Sequence, residues 1–512
     1  QVGLAYAATP ADSSYETMGV FVPGAYFTGT DNGDGTYTCV VNETGAAGQY
    51  TATTAPLIIP VNTPGYAAMA APTGYSSSMG YGSISDYTSE GIIVLFAGAR
   101  GRDAGAPAGV TDFKAAIRYA RYNKDLLPGD MDSIFSLGMS GGGAQSALIG
   151  ASGNSELYTP YLAAIGAVMT ESDAVKGSMC WCPITNLDIA DEAYEWNMGN
   201  TRSGLSEEEQ AYSDGMALAF AQYINGLGLK HPVTGEALTL NADGRSGGFY
   251  DYLMELLGAS AAKFLGKKGA GAADYLSGNY TFEAPARPAK DDNPDMHHVG
   301  PGAGGAVEKH LTIGEMMLRP PKGVPFQEMR QPMEERQGSD KRAWLRWDGE
   351  RAAICDLDTY VLNHRRRMKP CTSFDKLTND SGENDVFGDE THAYRHFDAQ
   401  IGACIRELAA DYPEEAAMFA PGYQEIDDGL LERVRIFNPM NYIDDARGRK
   451  AKCFRIRVGA SDADTAFTIS MVLALRLANA GHDADYALVW DQPHCDADYP
   501  GEVLDWIDAI CK

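Results

Sequence analysis

The sequence predicts an α/β protein: a mostly parallel sheet covered by helices, interrupted by one large, mainly helical insertion. Three observations predict it. Short apolar runs bounded by Gly, Pro or Asp alternate with segments of helical spacing from about residue 57 to residue 150. The alternation breaks after about residue 190 and resumes near residue 446. Between those points the chain is helix-forming and Met-rich, with no convincing buried strand.

The first 50 or so residues read as β structure, with Gly19-Val20-Phe21-Val22 as a short strand. Asp31-Asn32-Gly33-Asp34-Gly35-Thr36-Tyr37 looks partly like a calcium loop. It lacks the acidic twelfth residue and any flanking helix signal, so Asn-Gly and Asp-Gly read instead as a hairpin turn. Leu57–Val61 and Ile92–Phe96 are apolar throughout, as strands buried on both faces of a parallel sheet are. Residues 111–125 place Phe113, Ala116, Ile117, Tyr119 and Ala120 at helical spacing. Ser133–Leu137 is a further buried strand, followed by a glycine-rich turn and the helix former Ala144–Ile149. Cys180-Trp181-Cys182 has the wrong spacing for a zinc knuckle or a redox pair and reads as buried strand.

Within the insertion, 284–305 and 319–325 are Gly/Pro-rich connections. The sheet pattern then returns as a strand at Phe454–Val458, a helix over 465–480, a strand at Tyr486–Trp490 and a helix over 501–510. Residues 1–190 and 446–512 therefore form the predicted core domain, and 191–445 the inserted domain.

Bulk composition narrows the function classes. The 512 residues are 44% hydrophobic and 21% charged, as in a folded soluble protein. No run approaches the ~20 apolar residues that a membrane-spanning helix needs. A formal charge of −28 argues against a nucleic-acid partner, whose phosphates would be repelled over most of the surface. The nine cysteines are odd in number and widely spread, unlike a small-domain disulfide framework. The chain opens on Gln1, which fits a mature exported protein and a trimmed chain alike. A secreted or cell-surface location is the expectation on the first reading, a cytoplasmic one on the second. Nothing in the sequence sets the oligomeric state.

The strongest local signal is Gly138-Met139-Ser140-Gly141-Gly142. A G-x-S-x-G segment between a buried strand and a helix is the nucleophile elbow of the α/β-hydrolase fold: small neighbours permit a strained turn that exposes the serine hydroxyl. Ser140 then needs a base, and the base needs an orienting carboxylate. The expected chain order is Ser, acid, His, each just past a strand end. Asp462 follows the strand at Phe454–Val458, and His494 follows the next. The 32 intervening residues hold one helix and one strand, which returns the chain to the same sheet edge. Asp464 is the competing acid, although at a helix start it also suits an N-terminal cap.

Acyl transfer also needs donors for the oxyanion. One is the backbone N–H of Gly141; the other is expected from the loop Asn62-Thr63-Pro64-Gly65-Tyr66, with Gly65 the candidate. His297-His298 and the pair His392 and His396 lack an H-E-x-x-H pattern and read as loop or helix-surface residues. Arg365-Arg366-Arg367 reads as a solvated helix face. No metal or cofactor is expected.

At this point the chain resembles the bacterial tannases, α/β-hydrolases that cleave galloyl esters and carry a large lid inserted before the acid. The likeness rests on Gly138–Gly142, on Asp462-Ala463-Asp464-Thr465 and on His494-Cys495. Within the insertion it rests on Lys369-Pro370, Phe374-Asp375, Glu383-Asn384 and Phe387-Gly388. The resemblance implies that Lys369, Glu383 and Asp464 contact the ring hydroxyls of a small phenolic ester. Carboxylates, as acceptor-only groups, suit phenolic donors. Related fungal tannases and feruloyl esterases bridge the residue before the serine to the residue after the histidine by a disulfide. Here Met139 precedes Ser140, which leaves Cys495 without that partner. The alternatives are an esterase for feruloyl or other hydroxycinnamoyl esters, another carboxylesterase or a peptidase, and a non-catalytic binding protein on the same fold.

Overall fold

The computed structural model describes residues 1–75, 82–278, 340–365 and 367–512. Its framework is one eight-stranded sheet. Counting only the strands of that sheet, these are β1 (Leu4–Ala5), β2 (Thr17–Phe21), β3 (Leu57–Val61), β4 (Ile93–Ala97), β5 (Ile134–Met139), β6 (Gly177–Trp181), β7 (Cys453–Gly459) and β8 (Asp483–Val489). Their spatial order is β1-β2-β4-β3-β5-β6-β7-β8. β1 and β2 pair antiparallel, β2 joins β4 antiparallel, and every other pairing is parallel. The α/β-hydrolase architecture expected from the sequence is the one observed.

β3 and β4 are buried at every position, which is why they read as unbroken apolar runs, and β6 is buried throughout with Ser178 in its interior. The Asn-Gly and Asp-Gly segment is the turn of a separate hairpin, Phe27–Asp31 against Tyr37–Val41. β6 and β7 are direct neighbours, with Gly177 opposite Cys453. The chain therefore leaves the sheet at one strand and re-enters at the adjacent one, so a very long excursion leaves the sheet register intact.

The helices used below are α1 (Ala108–Tyr122), α2 (Gly141–Ala151), α3 (Ala190–Met198), α4 (Glu207–Gly226), α5 (Gly248–Lys268), α6 (Gly382–Val386), α7 (Ala399–Glu407), α8 (Phe467–Asn479) and α9 (Glu502–Cys511). One apolar core runs from the sheet residues Ile58, Leu137 and Ile456 to Trp196 of α3, Phe220 of α4 and Phe249 of α5. The first helices of the insertion are thus fastened to the sheet. A second, smaller cluster gathers Tyr212, Met216, Ile401, Ile405 and Tyr423.

The insertion contains a short hairpin, Leu345–Trp347 against Ala352–Ile354, neither strand of which is buried throughout, in keeping with the lack of a buried-strand pattern there. Two readings of the insertion need correction. His396 is no surface residue. It is buried, its Nδ1 lies 2.7 Å from Asp375 Oδ1, and its ring stacks on Tyr423 at 4.0 Å. Arg365 is fully buried, and Arg367 is half-buried with its guanidinium on Glu195 at 2.7 Å. His392 is exposed, as expected. His297, His298, Arg366 and the connections 284–305 and 319–325 lie outside the described residues.

Beneath α6 lies a buried acidic cluster. Asp191 accepts from the amides of Ser373, Phe374 (3.0 Å) and Asp375 (2.8 Å). Asp375 in turn accepts from Asn384 Nδ2 (2.7 Å) and from the amides of Phe397 and Asp398 (both 2.8 Å). Glu192 and Asp398 are less well satisfied, and burial reinforced by neighbouring carboxylates pushes both well above the usual carboxyl range.

The native protein therefore holds protons here that the unfolded chain releases above pH ~4.3. Stability from this pair is fully present below that value and declines as pH rises through the raised native range, by about 1.4 kcal/mol per pH unit per extra proton. Urea unfolding between pH 5 and pH 8 should show a smaller decline for Glu192→Gln than for the native protein. Equal slopes would place the proton elsewhere.

Candidate active site

β5 runs into Ser140, whose φ of 59° and ψ of −124° mark the strained turn of a nucleophile elbow. Glycine on both sides is a steric requirement. A Cβ at Gly142 would stand 2.1 Å from the Val61 carbonyl oxygen, and one at Gly138 would stand 2.2 Å from the Gly142 carbonyl oxygen. The serine's own carbonyl accepts from Ala144 N at 3.0 Å, which locks the turn to α2.

The two other predicted residues arrive on adjacent loops. Asp462 follows β7 by three residues and His494 follows β8 by five. The loops are cross-linked: Ser461 N and Oγ both donate to the Gln492 carbonyl, at 3.0 and 2.7 Å. Gly459 lets them meet, since a Cβ there would lie 2.2 Å from the Pro493 carbonyl oxygen. The result is a continuous hydrogen-bonded chain. His494 Nε2 lies 2.8 Å from Ser140 Oγ, and His494 Nδ1 lies 2.9 Å from Asp462 Oδ2.

Asp462 is fully buried, and its second oxygen accepts from the amides of Asp464 (2.8 Å) and Thr465 (3.3 Å). Asp464, the competing acid, thus supports Asp462 through its backbone. Burial alone disfavours both charges. Each offsets the other's burial, so Asp462 stays below the ordinary carboxyl range while His494 is held well above the ordinary imidazole value. In the neutral ring, a Nδ1–H toward Asp462 leaves Nε2 to accept from the serine hydroxyl, and the same carboxylate stabilises the imidazolium once His494 has taken that proton.

Around Ser140 the loop after β3 comes close. A Cβ on Gly141 would be 2.6 Å from Tyr66 N. Gly141 is the first residue of α2, so its N–H has no partner within the helix. Gly65 has a φ of 57°, and the next amide, Tyr66 N, is committed to the Thr63 carbonyl at 3.0 Å. The Tyr66 hydroxyl donates to the Ile184 carbonyl and pins the loop from below.

Lys369, Glu383 and Asp464 are each half-buried. Asp464 adds to the negative field on His494. Glu383, in the first turn of α6, faces the Tyr66 phenol, which burial and then this carboxylate push well above its ordinary value. Lys369 Nζ lies 4.1 Å from the centre of the Phe374 ring, and its amide donates to the Tyr194 hydroxyl at 3.2 Å. That hydroxyl donates to Ala463 at 2.7 Å, so Lys369 is tied to the acid loop. A cavity of about 480 Å³ lined by Arg202, Glu207 and Tyr412 is separate and contains none of these residues.

Sequence reasoning missed two supports. Arg365 Nε donates to the Asp462 carbonyl and Nη2 to the Thr465 carbonyl. Cys182 lies beneath the imidazole, within 4.8 Å of donor atoms of Asp462 and His494, and takes the Gly459 amide at 3.4 Å. Burial pushes its thiol up to about 12, which keeps it neutral. No sequence motif announces either one.

The BD-FAE family, an α/β-hydrolase family, matches residues 50–215. No curated protein matches the chain. Among solved structures, native tannin acyl hydrolase from Lactobacillus plantarum superposes with a TM-score of 0.73 at 29% identity, covering 100% of this chain and 93% of that one. This is a tannase-like α/β-hydrolase. Tannase from Fusobacterium nucleatum gives a TM-score of 0.74 at 28% identity, covering 100% and 94%. A tannin acyl hydrolase solved in complex with ethyl gallate gives 0.72 at 29%, covering 100% and 93%. The likeness to these tannases is not confined to the sheet, since the alignment covers the chain in full, and it supports an esterase.

Proposed function

We propose that the protein hydrolyses galloyl esters through an acyl-enzyme on Ser140, with His494 as base and Asp462 as the acid that orients it. The observation that carries this is the hydrogen-bonded chain from Asp462 through His494 to Ser140, with Asp464 beside the base and Glu383 beside the Gly65 loop.

Ser140 Oγ attacks the ester carbonyl as His494 Nε2 takes its proton. The Gly141 and Gly65 amides face the oxyanion. His494 then protonates the leaving alcohol, and water repeats the sequence to release the free acid. Lys369, Glu383 and Asp464 read the ring hydroxyls, so a ring without them leaves half-buried polar groups unpaired. Residues 191–445 serve as the lid domain over the core formed by 1–190 and 446–512.

Steady-state hydrolysis of methyl gallate beside methyl ferulate and methyl benzoate tests this reading. Preference for gallate is expected, and comparable rates on all three would remove the galloyl assignment while keeping the serine hydrolase. Asp464→Ala should reduce kcat/KM for methyl gallate by about 10–100-fold, the effect of losing a hydrogen bond from a charged group, and leave methyl benzoate within about threefold. Equal losses on both substrates would assign Asp464 to the triad's support alone.

A further inference from the structure

One arginine outside the triad touches both halves of the site. Arg102 lies in the turn Arg102–Ala104, on the loop that leaves β4. Its Nη1 donates to the Gly65 carbonyl at 2.8 Å, and its Nε lies 3.0 Å from Asp385 Oδ2 on α6. The fit is close, because a Cβ on Gly382 would stand 2.5 Å from the same Nη1. The surrounding loop is docked on the insertion at a second point, where Ala106 N donates to the Val386 carbonyl at 2.7 Å. The Arg102 and Asp385 side chains are 29% and 11% exposed, so solvent screens this contact less than it would a surface pair.

We infer that Arg102 is a positioning residue that couples ring recognition to oxyanion stabilisation; the inference rests on the proposed roles of Gly65 and Glu383. Gly65 has positive φ, and its carbonyl lies in the peptide plane that ends on Tyr66 N, so the Arg102 and Thr63 contacts together hold the plane on the C-terminal side of Gly65. Fixing the Gly65 carbonyl fixes the course of the loop that carries the Gly65 amide. Asp385 lies two residues from Glu383 on a helix of a single turn, so the same guanidinium also fixes where Glu383 stands. The planar fork of arginine serves both partners at once; the point charge of a lysine serves one.

The test is kinetic and uses the full chain. Native protein, Arg102→Ala, Arg102→Lys and Asp385→Ala are assayed on methyl gallate and methyl benzoate, with active sites counted by a fluorophosphonate probe. Arg102→Ala should lower kcat per labelled site by about 10–100-fold on both esters, on the scale of a misplaced oxyanion donor, and raise KM for gallate. Arg102→Lys, keeping the Asp385 contact, should restore KM for gallate and leave kcat low. Asp385→Ala, which spares the Gly65 contact, should raise KM for gallate and leave benzoate turnover within about twofold. A structural role alone would reduce labelled sites with kcat per site unchanged, which overturns the inference, as do unchanged constants. If native protein shows no gallate preference, the ring-reading proposal fails, and benzoate turnover still decides the Gly65 arm.

Discussion

Ser140→Ala is expected to lower kcat on methyl gallate by about 10⁴-fold or more while leaving KM within a few-fold, since the proposed ring contacts do not involve Ser140. That loss corresponds to at least ~5.5 kcal/mol of transition-state stabilisation. The residual rate comes from the oxyanion donors and bound geometry, which still act on attacking water. Folding should be little affected. Alanine tolerates a φ of 59° no worse than serine does, and the steric demands of the elbow fall on Gly138, Gly141, Gly142 and Gly143. Fluorophosphonate labelling of the native protein, absent from the variant, checks the same point without substrate. More than 1% of native kcat remaining would move the nucleophile elsewhere.

The sheet and the three residues of the hydrogen-bonded chain were legible for one reason: each rests on a local pattern. β3 and β4 are fully buried and apolar throughout, and β5 is buried up to Met139; Ser140 sits among glycines forced by close approaches; Asp462 and His494 sit just beyond strands. The supports were illegible because they rest on tertiary burial of charge, which no local pattern records. Arg365 is flanked by basic residues and reads as a wet helix face, yet it is fully buried. His396 lies in a polar stretch and yet stacks on Tyr423 with its Nδ1 on Asp375. Arg102 contacts residues 37 positions before it and 283 after it.

Arg365→Met is expected to destabilise the protein by roughly 3–5 kcal/mol, the range seen when one partner of a buried charged network is removed. It should also lower kcat/KM. Besides its cross-links to the His494 loop, the acid loop has four carbonyls held by donors from the insertion. Tyr360 donates to the Ala460 carbonyl, Tyr194 to Ala463, and Arg365 to both Asp462 and Thr465. Methionine fills much of the volume over Phe467 but provides no donor, so two buried carbonyls lose their partner. The positive charge that favours ionised Asp462 also disappears, and burial then weighs more heavily on that carboxylate. A shift of about 1 Å in the acid loop is enough to cost ~10²-fold in rate. Urea unfolding and kcat per labelled site separate the two effects. Lost stability with unchanged kcat per site would make Arg365 a structural clamp alone; a drop in both would show that the insertion places the catalytic acid as well as the substrate.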